Sequence, residues 1–146
     1  MIMQPTSEAI NYPERLSDER AFKYPVSVKG VLVHSNRVLL LKNERNEWEL
    51  PGGKLEINEL PADCVIREIK EETGVQAKVL RPLFSYIYWV AEVVPVLIVP
   101  FHCECQDFNT LVLSHEHKEI GTFDISELDS INLPEGYRRT IRHAIS

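Results

Sequence analysis

The stretch that decides the fold runs from Gly53 to Val75 and reads GKLEINELPADCVIREIKEETGV. Within it, apolar residues recur at offsets of three, four and seven, which is the period of a helix with one buried face. Pro61 suits a first helical turn and Gly74 suits a helix end, so the pattern predicts a helix from Pro61 to Glu72. The apolar residues of this helix are Ala62, Val65, Ile66 and Ile69.

Three glutamates of the predicted helix, Glu68, Glu71 and Glu72, are spaced so that their side chains are neighbours on one stripe. Like charges at these offsets repel, and the repulsion grows where solvent is excluded. A divalent cation would compensate them, because Mg²⁺ prefers carboxylate and water oxygens and commonly bridges to substrate phosphates. A solvated acidic face, balanced by Arg67 and Lys70, is the alternative.

Fixed spacings around the helix extend this pattern. Gly53 is followed after five residues by Glu59, and after seven more by Arg67-Glu68-Ile69, then by Glu71-Glu72 and Gly74-Val75. This is the complete signature of the Nudix hydrolases, which the chain resembles from about Tyr24 to Ala144. The resemblance implies an α/β fold, a Nudix-type α/β/α sandwich with a mixed β-sheet, and a metal-dependent site that cleaves a diphosphate.

The resemblance also implies a role for each part of the signature. Arg67 pairs with Glu59 and holds the glutamates in place, which their aim at a metal requires. Glu68 binds metal or helps to activate water. The cofactor implied is Mg²⁺, with Mn²⁺ as the alternative. The expected metal ligands are the carbonyl of Gly52 and the carboxylates of Glu68, Glu71 and Glu72.

Members of this family draw a further acidic residue from a downstream loop. The segment from Ser114 to Glu119 is its expected source, with Glu116 as first choice for a catalytic and metal-binding residue and Glu119 as the alternative. Arg45 lies before the signature, and Lys54 directly follows its first glycine. Both are candidates for binding substrate phosphate, with solvated surface charges as the other interpretation. Glu59 is grouped with them among the substrate-binding candidates.

The flanking sequence predicts strands on both sides of the signature. Val26 to His34 and Val38 to Leu41 form a hairpin around a turn at Ser35-Asn36-Arg37. Leu83 to Ala91 and Val96 to Cys105 form a second antiparallel pair. Further along, the sequence predicts a short strand at Leu111-Val112-Leu113, a charged loop from His115 to Glu119, a segment from Phe123 to Leu128 that leads to the last helix, and that helix near Glu135 to Ile145.

Length and composition predict one domain, residues 25–146, preceded by an arm at residues 1–24 that is flexible or contacts a second subunit of a homodimer. The net charge of −6 disfavours nonspecific binding to duplex nucleic acid. Three cysteines without disulfide spacing, and no apparent signal peptide, favour the cytoplasm. The apolar run from Leu83 to Phe101 is interrupted by Glu92 and two prolines, so we do not expect it to span a membrane.

The predicted activity, implied by the resemblance, is Mg²⁺-dependent hydrolysis of a diphosphate linkage by metal-activated water. The expected substrate is a small nucleoside diphosphate derivative, such as a nucleoside triphosphate, ADP-ribose or a sugar nucleotide. A non-catalytic module that senses a nucleotide on the same fold is the alternative, although such modules commonly lose carboxylates that this chain retains.

Overall fold

A computed structural model describes residues 22–115, 117 and 119–146. In this part of the chain, eight strands form one mixed sheet with a helix packed on each face. The elements in chain order are β1 (Val26–His34), β2 (Arg37–Lys42), β3 (Trp48–Glu49), β4 (Gly52–Lys54), α1 (Pro61–Thr73), β5 (Lys78–Pro82), β6 (Tyr86–Val90), β7 (Val94–Glu104), β8 (Glu119–Asp124), a 3-10 helix (Ile125–Ser130) and α2 (Glu135–Ile145).

The sheet is organised around β1. Its strand order is β3-β2-β1-β7-β5, with β4 also paired to β1, β6 to β7 and β8 to β2. The pairing of β1 with β7 is parallel, and the other pairings are antiparallel. Because β4 pairs with β1, the loop that precedes α1 begins beside the central strand of the sheet.

Side chains of β1 alternate between two hydrophobic clusters, as a strand buried on both faces requires. Val28 and Leu32 pack in the cluster that contains Val65 and Ile69 of α1. Val31 packs in the other cluster, with Tyr137 and Ile141 of α2. The predicted α/β fold with helices on a mixed sheet is therefore confirmed.

Several predicted elements have the predicted bounds to within a few residues. The first hairpin is β1 and β2, and its turn residues Ser35 and Asn36 both have positive φ. Helix α1 ends at Thr73, with Gly74 as its left-handed cap at φ 76°. The second antiparallel pair is β6 and β7, and the last helix is α2 at Glu135–Ile145.

The strand predicted at residues 111–113 is wrong, because the backbone of this segment bonds to a helix end and not to a strand. The amide of Val112 donates to the carbonyl of Thr73 at 2.9 Å, and the amide of Ser114 donates to the carbonyl of Glu72 at 3.3 Å. These carbonyls belong to the last turn of α1, where no intrahelical donor remains. The segment therefore closes α1 and brings the following loop to the acidic stripe.

The strands β4, β5 and β8 were missing from the sequence prediction. β5 is largely exposed and shows no apolar alternation, whereas β8 was assigned partly to a charged loop. β8 pairs with β2 along its whole length, from Arg37 opposite Asp124 to Lys42 opposite Glu119. Of the predicted arm at residues 1–24, only 22–24 are among the described residues.

None of the described helices is long and apolar enough to cross a membrane.

Candidate active site

Two glycines bring the backbone before α1 into close contact with β1 and with the helix. Gly52 has φ 149°, and a Cβ atom there would collide with the carbonyl oxygen of Val28. A Cβ at Gly53 would lie 2.5 Å from Cδ of Glu68. Glycine is therefore required at Gly52, where the backbone is in the way, whereas a side chain at Gly53 would push the end of Glu68 aside.

Arg67 gathers three glutamates on one side of α1. Its Nε and one terminal nitrogen bond both oxygens of Glu59, at 2.6 and 3.0 Å. The other terminal nitrogen donates to Glu68 at 3.0 Å and to Glu71 at 3.1 Å. We call Arg67, Glu59, Glu68 and Glu71 the arginine side of the stripe. The pairing of Arg67 with Glu59 that the resemblance implied is present, in a two-pronged geometry that lysine cannot reproduce.

This pairing sets the charge state of both partners. The hydrogen bonds from Arg67 lower the pKa of Glu59 to about 2, although partial burial opposes the shift. Hydrogen bonds to Glu59 likewise raise the pKa of Arg67 above its usual value. The pair is therefore fully ionised under ordinary conditions, and both oxygens of Glu59 are engaged with Arg67.

Glu72 lies on the other side of the stripe and is only 4% exposed. Its Oε1 accepts a 2.7 Å hydrogen bond from the amide of Gly52, and its Oε2 lies 3.5 Å from Nε2 of His117. Burial raises the pKa of Glu72 to about 7, against the opposing effects of Lys29, the Gly52 amide and His117. One carboxylate of the stripe is thus held by backbone and histidine and not by arginine.

His117 also contacts Glu49 of β3. Its Nε2 is 2.9 Å from Oε1 of Glu49, and its side chain is 9% exposed. The hydrogen bond to Glu49 raises the pKa of His117, although burial opposes this. Burial would raise the pKa of Glu49, but His117, Lys29 and Asn43 outweigh it and lower that pKa. We call Glu72, Gly52, His117 and Glu49 the buried side of the stripe.

An open cavity of about 310 Å³ lies over the stripe. It is lined by Glu56, Arg67, Glu68, Glu71, Glu72, Ser114 and His115. The loop that the 112–114 segment anchors to α1 forms its rim. The predicted catalytic glutamates of α1 therefore line one common space, to which the buried side of the stripe contributes Glu72.

The donors around this cavity fit a divalent cation by their chemistry, because carboxylate oxygens are the ligands that Mg²⁺ prefers. No three His, Cys, Asp or Glu side chains among the described residues are already drawn together around one point. One terminal nitrogen of Arg67 bonds both Glu68, at 3.0 Å, and Glu71, at 3.1 Å. A cation in this cavity would be held by carboxylates whose direction Arg67 and Glu59 set.

The structure places the other predicted residues in different surroundings. Arg45 bonds to Glu44 at 2.8 Å and to Glu47 at 3.0 Å, and it does not line the cavity over the stripe. Lys54 is exposed on β4 and likewise does not line it. Glu116, the first choice for the downstream acid, lies outside the described residues. Glu119 begins β8, where it lies 3.9 Å from Lys42.

Sequence reasoning missed the residues of the buried side other than Glu72 and Gly52. His117 was predicted to lie in a charged loop, yet it is buried against two carboxylates. Glu49 was not among the predicted site residues. Lys29 is 8% exposed, and its ammonium lies 5.9 Å from the ring centre of Tyr137. A lysine and a glutamate inside otherwise apolar strand patterns were the available signals.

Comparison with known proteins agrees with this geometry. The NUDIX domain model matches residues 23–144. An ADP-ribose pyrophosphatase of Methanocaldococcus jannaschii is 41% identical over 76 residues, which are 49% of this chain and 45% of that protein. A MutT-like protein of Streptomyces ambofaciens is 47% identical over 58 residues, 38% of each chain. The matches span less than half the length of these curated relatives.

Solved structures give the same result for the fold. A crystal structure of a Nudix-family hydrolase from Clostridium perfringens has a TM-score of 0.74 at 20% identity, covering 85% of this chain and 97% of that one. A UDP-X diphosphatase has a TM-score of 0.70 at 25% identity, covering 90% of this chain and 66% of that one. Because the NUDIX model spans most of the sequence and includes the whole stretch from Gly53 to Val75, the chain belongs to the Nudix hydrolase family.

Proposed function

We propose that the chain hydrolyses the diphosphate linkage of a nucleoside diphosphate joined to a second group, with a divalent cation held by the glutamates of α1. The observation that carries this proposal is that Glu68, Glu71 and Glu72 all line one cavity. An acidic stripe that served only as a solvated face would not bury Glu72 or need a guanidinium shared among three carboxylates.

Each residue has a defined task in this reaction. The carboxylates of Glu68, Glu71 and Glu72 hold the cation, and Arg67, itself fixed by Glu59, sets the direction of Glu68 and Glu71. When bound, the cation supplies Lewis-acid activation of water and neutralises phosphate charge. The water oxygen attacks one phosphorus, the bridging P–O bond breaks, and a carboxylate of the stripe takes the proton that the water loses.

The relatives favour a class of substrate. One is an ADP-ribose pyrophosphatase and one structural neighbour is a UDP-X diphosphatase, so both act on a nucleoside diphosphate that carries another group. We therefore place ADP-ribose and nucleotide sugars ahead of nucleoside triphosphates as substrates. Mg²⁺ is the proposed cation because the donors are oxygens of carboxylates, and Mn²⁺ is the alternative.

The test is a hydrolysis panel of ADP-ribose, UDP- and GDP-sugars, dinucleoside polyphosphates and nucleoside triphosphates, with Mg²⁺, with Mn²⁺ and with chelator. Glu71→Gln removes a carboxylate of the cavity, and Asp63→Asn removes an exposed acidic charge from the first turn of the same helix as a matched control. We expect a nucleoside monophosphate product from one class of compound, in the wild type and in Asp63→Asn only. Tight nucleotide binding without any product would instead favour the sensing module.

A further inference from the structure

A buried chain of polar groups connects the loop before β3 to the acidic stripe. Asn43 is 2% exposed, and its side-chain oxygen accepts hydrogen bonds from the amides of Arg45 and Glu47. Its amide nitrogen donates to Oε2 of Glu49 at 3.3 Å. Glu49 is thereby fixed from one side, and its other oxygen meets His117.

His117 connects the polar groups Asn43 and Glu49 to α1. Its Nε2 lies 2.9 Å from Oε1 of Glu49 and 3.5 Å from Oε2 of Glu72. Neither the partly buried Glu49 nor the buried Glu72 can donate a hydrogen bond when ionised, and Nε2 of His117 lies within 3.5 Å of both. With its proton on Nε2, His117 donates to Glu49 and faces Glu72.

We propose that His117 is a positioning residue for Glu72: held by Glu49, it fixes the rotamer of Glu72 and so the direction in which this carboxylate faces a divalent cation. The inference rests on the proposed function, because it concerns the same metal site. The Gly52 amide holds Oε1 at 2.7 Å, and His117 limits where Oε2 can go. Removing a donor that orients a metal ligand typically lowers metal affinity or activity about 10–100-fold.

Described residues just before His117 are bonded to the end of α1. The amides of Val112 and Ser114 bond the last carbonyls of α1, and the amide of His117 donates to the carbonyl of Ser114 at 3.4 Å. The histidine and Glu72 are therefore attached to the same helix end. A positioning group is effective when its own backbone moves with the group that it orients.

The test compares substitutions that keep or lose a donor at the Nε2 position. The amide nitrogen of glutamine can take the place of Nε2, whereas alanine has no donor and the shorter asparagine places its amide near Nδ1. His34, at the end of β1, packs edge-on against Phe108 and provides His34→Ala as a control remote from the stripe. The measurements are Mn²⁺ affinity by electron paramagnetic resonance, kcat and KM for the substrate found in the panel, and Tm.

We expect His117→Ala and His117→Asn to weaken Mn²⁺ binding about 10–100-fold and to lower kcat by a similar factor, with KM changed less than about threefold. His117→Gln should restore both quantities to within about fivefold of the wild type, and His34→Ala should change neither. Unchanged Mn²⁺ affinity in a folded His117→Ala protein, or equal losses in His117→Gln and His117→Ala, would overturn the proposal. If His117→Ala does not fold, the comparison of His117→Gln with His117→Asn decides in the same way.

Mn²⁺ affinity requires no substrate, so this result is separate from the proposed function. A wild type that binds Mn²⁺ but cleaves nothing in the panel would contradict the hydrolase, while the affinities of the His117 variants would still support or overturn the positioning role.

Discussion

The two sides of the acidic stripe on α1 are held by different physical means. On the arginine side, one guanidinium pairs with Glu59, Glu68 and Glu71, and Glu71 keeps 58% of its side chain exposed. On the buried side, Glu72 is bonded to a backbone amide and lies against His117. Exposed ion pairs rearrange at little cost, whereas a buried carboxylate depends on every hydrogen bond it has.

This difference suggests a division of tasks. Glu72 is the fixed reference of the site, because two separate parts of the fold determine its position. Glu71 is more adaptable, because 58% of its side chain is exposed and, among the described residues, it bonds the guanidinium of Arg67. If the more rigidly held carboxylate contributes more to the reaction, substitutions on the buried side should lower activity more than substitutions on the arginine side.

Replacing Glu72 by Gln should cause the largest loss of activity. The amide oxygen can still accept from Gly52, so the fold is kept, but the negative charge next to the cation is gone. We expect kcat/KM to fall about 10²–10³-fold, and Glu71→Gln to lose about 10-fold less than that. Steady-state hydrolysis of the preferred substrate measures both. An equal or greater loss of kcat/KM in Glu71→Gln would contradict the larger role of the buried side.

Replacing Gly53 by Ala should disturb the arginine side alone. The added Cβ would lie 2.5 Å from Cδ of Glu68, so the carboxylate has to move away. Because the obstacle is the end of a flexible side chain, we expect less than about 1 kcal/mol of lost stability but an approximately 10–100-fold fall in kcat, since small misplacements of catalytic groups are costly. Chemical denaturation and hydrolysis rates measure the two effects. Full activity in this variant would show that Glu68 has no fixed position to lose.

Replacing Arg67 by Lys keeps the charge but removes the planar fork. Two parallel bonds to Glu59 become one, and Glu68 and Glu71 lose their shared donor. We expect about a 10-fold loss of kcat and about 1–2 kcal/mol of lost stability. Arg142→Lys is the matched control, because Arg142 is exposed and bonds Asp129 through a single nitrogen. Similar losses of kcat and stability in Arg67→Lys and Arg142→Lys would show that the two parallel bonds from Arg67 to Glu59 do not contribute to either quantity.

The arginine side was predictable from sequence because all its parts are local. Glu59, Arg67, Glu68 and Glu71 lie within one short stretch, and helical spacing alone brings the last three together. The buried side was not predictable in the same way. Glu49 reaches the stripe through the pairing of β3 with β2, and His117 reaches it because the amides of the 112–114 segment bond the end of α1.

The elements of the fold show the same difference between local sequence and distant partners. β1, β2, α1 and α2 have clear apolar patterns, and their bounds were predicted closely. β8 carries Gly121 and Thr122 in its centre, and it is a strand because β2, whose paired residues lie 77 to 87 positions earlier in the sequence, supplies partners for its backbone. The triplet Leu111-Val112-Leu113 has the composition of a strand, but its backbone caps a helix. Hydrogen bonding to distant segments decided both cases against local composition.

The smallest expected effect concerns the stability of the arginine side at low pH. The folded pKa of Glu59 is about 2, below the ordinary value, so the ion pair stabilises the fold fully above about pH 4.5 and loses this contribution as the pH falls toward 2. Glu59→Gln lacks the contribution at every pH. With a chelator present, the wild type should exceed Glu59→Gln by about 1 kcal/mol in free energy of unfolding from pH 5 to pH 8, after allowance for solvent screening of the partly exposed pair. Urea unfolding at a series of pH values should show the difference shrinking below pH 4.5. A difference that stays constant down to pH 2.5 would mean that hydrogen bonding to Arg67, and not the charge of Glu59, holds the arginine side together.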